Sequence, residues 1–274
     1  MITRMMMVGA GRIYEASCAL SFDHNLYPQI DKTIVVSPYS FVTLRQEFHS
    51  FNIVTENFEF YHDSDLIEKF KLKTWATNHW YLQQGIKLSL LDNTDSDKFL
   101  IQDCDVFAIK PYKFFNDTVP CFRVEELWND YQHVYAAKVE HLLGFKRKIP
   151  YSFVTEFMPY TKQDWLKCKQ DIEQRFNMPW QQAIPNIEKF DETKWFSEYE
   201  MLGIYKTNTD SNYNYEFDTH PELHTLADLK NTNWSNISTV KFKAKPFKYM
   251  NEHDANLIKD FFKQLEENND VYCN

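Results

Sequence analysis

An α/β fold built on a mostly parallel sheet is what this sequence predicts, and three features predict it. "KTIVVSP" (32–38) is a short, continuous β-branched run, the pattern of a strand buried on both faces. Strand-like runs of this kind alternate with stretches of helical spacing, as in βαβ units. In "KFLIQDCDVFAIKPYKFF" (98–115), a buried-strand pattern runs into two carboxylates, Asp103 and Asp105. Open α/β sheets bind ligands at the carboxyl ends of their strands. Burying an unpaired carboxylate there is costly, so a compensating charge is required.

The elements follow in order. "MMMVGAG" (5–11) reads as a first strand stopped by two glycines, and "IYEASCALSFD" continues as a helix. After the 32–38 strand, "FNIVTEN" (51–57) has strand composition. Residues 74–91 have helical spacing, with Trp75, Leu82, Ile86 and Leu90 near one face. Gln83 and Lys87, at i and i+4, fall on a neighbouring polar face. A strand at 99–102 comes next, and "YSFVTEFMPY" (151–160) reads as another. Thr161 and Asp164 form a T-x-x-D cap before a helix whose buried stripe is Trp165, Cys168, Ile172 and Phe176. "FSEYEMLGIY" opens a helix with Ser197 as N-cap and Glu200 as its capping-box partner. A polar loop over 207–218, a strand in "STVKFKAKPFKYM" and an amphipathic helix through Leu257, Phe261 and Leu265 complete the chain. Without an internal repeat or a long linker, one domain over 1–274 is the simplest organisation, with a core to about 205 and a C-terminal extension over about 206–274.

Composition narrows the function. The chain is 43% hydrophobic and 25% charged, with 17% aromatics and five glycines, which excludes collagenous and low-complexity chains. A net charge of −9 argues against a basic nucleic-acid coat and leaves room for a local basic groove. No apolar run approaches the roughly 18 residues of a membrane span. Five scattered cysteines without a CxxC argue against disulfides or zinc and for a reducing cytoplasm, the host's if the chain is viral.

Asp103 and Asp105 offer hard oxygen ligands of the kind Mg²⁺ or Mn²⁺ takes alongside a substrate diphosphate. A solvated turn whose aspartates cap backbone amides is the plain alternative. Glu198 falls in the first turn of its helix, where the dipole keeps a carboxylate ionised. At a pocket rim it would suit a base that takes a proton from a hydroxyl, with Glu200 and Glu156 as rivals. His220 and His224 have the i, i+4 spacing of paired metal ligands, interrupted by Pro221. Lys241, Lys243 and Lys245 share one face of a strand, and "FKRK" (145–148) is a second basic cluster. These are either edge-strand lysines that discourage aggregation or a phosphate groove.

"WYLQQGIKL" (80–88), the D-x-D segment, "SFVTEFMPY" and "FSEYEMLG" (196–203) together resemble nucleotide-sugar glycosyltransferases of the GT-A fold. The resemblance is closer to a bacterial and phage group that shares a Q-Q-x-x-K-L helix, a strand ending in D-x-D and an S-E-Y-E segment. It runs in order over about residues 30–205, and departs at the short N-terminus and at Glu156, where that group favours histidine. The resemblance implies a Rossmann-like sheet and a nucleoside-diphosphate donor, a UDP-sugar first of all. It places Asp103 on the ribose or the metal, and Asp105 on a Mn²⁺ or Mg²⁺ bridging the diphosphate. Gly9, Gly11 and Arg12 would meet the nucleotide, and Gln83, Gln84 and Lys87 would line the donor pocket. His220 or His224 would complete the metal site. The acceptor stays open between a glycan, lipid or protein hydroxyl and hydroxymethylated DNA. A non-catalytic nucleotide-sugar-binding module is the third reading, and gains if neither aspartate faces a cavity.

Overall fold

The structure is a computed structural model that describes residues 1–75, 79–116, 119–126, 130–155, 157–187, 196–217, 221–234, 237, 239–242 and 250–267. Its first half runs β1 (Ile2–Met7), α1 (Ile13–Leu20), β2 (Lys32–Ser37), α2 (Phe41–Ser50), β3 (Phe58–His62), α3 (Asp63–Lys69), α4 (His79–Asn93), β4 (Lys98–Asp103) and β5 (Val106–Ala108). The second half adds β6 (Val119–Glu126), α5 (Asp130–Leu143), β7 (Phe157–Thr161), α6 (Lys162–Phe176), α7 (Trp180–Asn186) and α8 (Glu198–Thr209). It ends with β8 (Asn214–Phe217), β9 (Glu222–Leu223), α9 (Leu226–Asn231), β10 (Thr239–Phe242) and α10 (Glu252–Glu267).

The central sheet has the order β3-β2-β1-β4-β7, with the first four strands parallel and β7 antiparallel to β4. Successive strand residues point to opposite faces, and the cores follow that rule. Met5, Met7, Ile34 and Val36 pack on one side, and Met6, Val8 and Val35 on the other. Both faces are therefore covered, which is why these strands read as continuous apolar runs. The strand order reverses between β1 and β4, creating a crevice at their carboxyl ends where Met7 pairs with Asp103. Beyond the D-x-D turn, β5 pairs antiparallel with β10, placing Lys241 opposite Val106. The Phe242 N–H donates to the Asp105 carbonyl at 2.8 Å, so the C-terminal segment folds back over that turn.

Several sequence expectations shift. Residues 51–57 form a loop, with Asn52 at φ 60, and the strand starts at Phe58. The 151–160 segment is two strands, Tyr151–Ser152 and β7. The 207–218 loop contains the end of α8 and all of β8, which pairs with β6. Helix α4, described from His79, has no outer polar face at Lys87, because Gln84 and Lys87 are both buried. The buried face of α10 lies one residue round from the expected stripe: Ala255, Ile258 and Phe262 are buried, while Leu257 is 41% exposed. Thr161 caps α6 as expected, accepting from the Asp164 N–H at 3.2 Å. Among the described residues no helix is long and apolar enough to cross a membrane.

Candidate active site

Helix α4 carries Lys87 through the interior to the carboxyl end of β4. Its ammonium donates to Asp103 Oδ1 at 2.9 Å and lies 2.7 Å from Glu198 Oε1. The Tyr199 hydroxyl donates to the same Asp103 oxygen at 2.8 Å, and Lys87 sits 4.7 Å from the centre of the Tyr199 ring. The hydrogen-bond network orients the Gln84 amide to donate to Glu198 Oε1 at 3.0 Å. Burial works against a charged lysine, but Asp103 and Glu198 outweigh it and raise the Lys87 pKa. Burial also opposes an ionised Asp103, and Lys87 reverses that, holding its carboxyl below the usual range. For Glu198 burial prevails, and it pushes the carboxyl pKa up despite Lys87.

Asp105 belongs to a second charge cluster. Arg12, the N-cap residue of α1, donates to Asp105 Oδ2 at 3.3 Å and to Glu15 Oε1 at 3.4 Å. Glu15 is fully buried, its carboxyl is pushed up to about 7 by that burial, and its Oε2 has no partner. Burial raises the Asp105 carboxyl as well, opposed by Lys241 and Arg12. The charge that compensates the two aspartates thus comes from Lys87, Arg12 and Lys241.

At the carboxyl ends of β1 and β2, next to the strand that ends in Asp103, opens a cavity of about 320 Å³ whose lining includes neither Asp103 nor Asp105. Gly9, Ser37, Asp63, His79 and Gln83 are among its lining residues. Gln83 and Gln84 therefore part company, one towards the cavity and the other towards Glu198. Gly11 has φ 79, a left-handed turn that glycine takes without strain.

Other expected site residues lie elsewhere. Glu198 is wholly buried, so the exposed rim carboxylate is corrected to an interior one: the helix start that would ionise it faces Gln84 and Lys87 rather than solvent. Ser197 caps α8, accepting from the Glu200 N–H at 3.4 Å, but the reciprocal half of the capping box is not made. The Glu200 carboxylate instead accepts from Ser152 Oγ at 2.5 Å and the Phe153 N–H at 3.2 Å. His224 is about half exposed and 3.6 Å from Glu222. Glu156, His220, Lys243 and Lys245 lie outside the described residues. In the other basic cluster, Lys146 pairs with Glu140 and Lys148 donates to the Asn208 carbonyl. Sequence reasoning missed Glu15 and Tyr199, and left Lys241 open between an edge-strand stripe and a phosphate groove without linking it to the aspartates. The available signal for Glu15 was a lone acid, three residues after Arg12, in the otherwise uncharged "IYEASCAL".

Asp103 and Asp105 are the oxygen donors that a hard divalent cation would use here. Lys87 and Tyr199 occupy Asp103 Oδ1 and Arg12 occupies Asp105 Oδ2, leaving each carboxylate one oxygen outside these contacts. The raised Asp105 carboxyl and the orphaned Glu15 Oε2 mark a cluster short of positive charge. Among the described residues no three His, Cys, Asp or Glu side chains converge as a metal site.

A family described as "Family of unknown function (DUF6492)" matches residues 19–263. No curated protein matches the sequence. Among solved structures, an active-site mutant of LgtC superposes with a TM-score of 0.51 at 12% identity, covering 97% of this chain and 95% of that one. Galactosyltransferase LgtC with donor and acceptor sugar analogs gives 0.49 at 12% identity, covering 99% and 97%. Mouse xyloside xylosyltransferase 1, in its apo form, gives 0.45 at 10% identity, covering 83% and 89%. The first of these likenesses shows the fold alone: the mixed α/β arrangement of the GT-A class, its largely parallel sheet flanked by helices.

Proposed function

The chain belongs to the DUF6492 family, and we propose that it transfers a sugar from a nucleoside-diphosphate donor, a UDP-sugar first, to an acceptor hydroxyl. The observation that carries this reading is the placement of Asp103 and Asp105 at the switch-point crevice of a GT-A sheet, next to the strand whose carboxyl end opens on a cavity lined by Gly9 and Gln83. At about 320 Å³ the cavity suits part of a small ligand, here the nucleoside. Arg12 and Lys241 stand beside the aspartates, where a diphosphate would draw on their charge. Asp103 and Asp105 would hold a Mn²⁺ or Mg²⁺. When bound, such an ion supplies Lewis-acid neutralisation of the departing diphosphate. Glu198, sealed beneath Lys87, is a positioning residue that keeps the ammonium against Asp103.

An acceptor hydroxyl on a glycan, lipid or protein ranks ahead of hydroxymethylated DNA. The charge of Lys241 already acts on the aspartates, and Lys146 and Lys148 already have protein partners. The test is a thermal-shift screen of nucleoside diphosphates with and without Mn²⁺, since a ligand that binds only the native state raises its stability. UDP should raise Tm in a metal-dependent way. Silence from every nucleotide, with and without metal, would overturn the proposal. Metal-dependent UDP binding without hydrolysis or transfer from any UDP-sugar would reduce the protein to a binding module.

A further inference from the structure

A second cavity, about 730 Å³, lies at the opposite, amino end of the parallel strands. Thr33 and Phe58, at the amino ends of β2 and β3, help to line it, together with the 51–57 loop and α10. A six-residue strand spans roughly 20 Å, so this cavity is remote from the aspartates. Lys259 and Lys263 enter it from α10, one turn apart on the same face. Lys259 is only 7% exposed, yet among the described residues its ammonium meets the Phe51 ring, 5.1 Å away, and the field of the buried Cys18 thiol, and it forms no ion pair with a carboxylate. A ring face offsets only part of the cost of desolvating an ammonium. The nearby acids are committed or peripheral. Arg4 holds Asp23 through both terminal guanidinium nitrogens, His24 and Asn25 hold Glu266, and Glu56 is exposed at the rim.

We propose that this cavity is a second ligand site for a small, phosphate-bearing organic anion. Two ammonium groups one helical turn apart match the nearly two negative charges of a phosphate monoester. Phe51 and Ile53 offer its organic body an apolar wall, and Asn52 offers an amide at the rim. Such a wall also explains why a lysine is kept on the buried face of α10, where a leucine would pack without desolvation cost.

The test is calorimetric titration of the whole chain, without metal, using phenyl phosphate and inorganic phosphate. Phenyl phosphate should bind at least ~10-fold more tightly than inorganic phosphate, because its ring leaves water. Lys259→Met should weaken phenyl phosphate at least ~10-fold without lowering Tm, since it removes a charge and keeps the stem. Lys263→Gln, on the exposed side, should weaken it about threefold or more and guards against a folding defect in the first variant. Arg12→Gln should leave it unchanged. No binding at millimolar concentration, indifference to both lysine variants, or loss in Arg12→Gln would overturn the site. Lys259-dependent retention on vesicles containing phosphatidic acid, without binding of phenyl phosphate, would overturn the small-molecule assignment.

Discussion

Lys87 and Glu198 meet at 2.7 Å with side chains 2% and 0% exposed, an ion pair assembled inside the protein from two separate helices. Removing one partner of such a pair typically costs about 3–5 kcal/mol, whereas replacing both with apolar groups is often neutral. Lys87→Met should therefore be strongly destabilising, and Lys87→Met/Glu198→Leu should recover much of the loss in urea unfolding. Additive single-variant effects would remove the pair from this account.

Asp105→Asn should leave the Tm of the free protein equal or higher, because burial already disfavours this carboxylate. The same variant should lose the Mn²⁺-dependent thermal shift with UDP. An undiminished shift would remove Asp105 from the metal site.

The adjacent glutamines should behave differently. Gln83→Ala, at the cavity wall, should weaken nucleotide binding roughly threefold to tenfold, with stability nearly unchanged. Gln84→Ala removes a buried donor to Glu198 and should cost about 1–3 kcal/mol in unfolding. The opposite pattern would mean that the helix presents its other side to the donor.

Glu200 makes stability depend on pH. Its carboxyl rises from 4.5 to about 7, chiefly through burial. The native state then holds a proton that the unfolded chain has released, so this contribution is complete below the unfolded value and fades as pH rises through about 7. Glu200→Gln keeps an acceptor for Ser152 and Phe153. It should be neutral near pH 4 and stabilising near pH 8 by up to about 3 kcal/mol. Denaturant unfolding at the two pH values checks this, and equal effects at both would refute the shift.

Gly203 lets α8 approach Phe153 so closely that an added Cβ would clash with the ring's Cγ. Gly203→Ala should cost about 1–3 kcal/mol by overpacking. It should also disturb the Ser152–Glu200 contact next to it. Hydrogen exchange at the Phe153 amide would report that loosening.

What the sequence by itself determined was local or periodic. The 32–38 strand, the Thr161 and Ser197 caps, the helix after Gly11 and the pair of carboxylates ending a buried strand were legible because each depends on neighbouring residues and one repeat. The departures have equally physical reasons. Residues 51–57 have strand composition but follow a helix end with Asn52 in a left-handed turn, so pairing starts only at Phe58. Glu198 shows its helix-start position in sequence, but not that this start is sealed by Gln84 and Lys87. The partners of the aspartates were beyond reach for the same reason. Arg12 lies 93 residues from Asp105, and Lys241 arrives on a strand that returns from the far end of the chain. Charge compensation in a buried site is set by which distant segments the sheet brings together, and that information exists only in the tertiary structure.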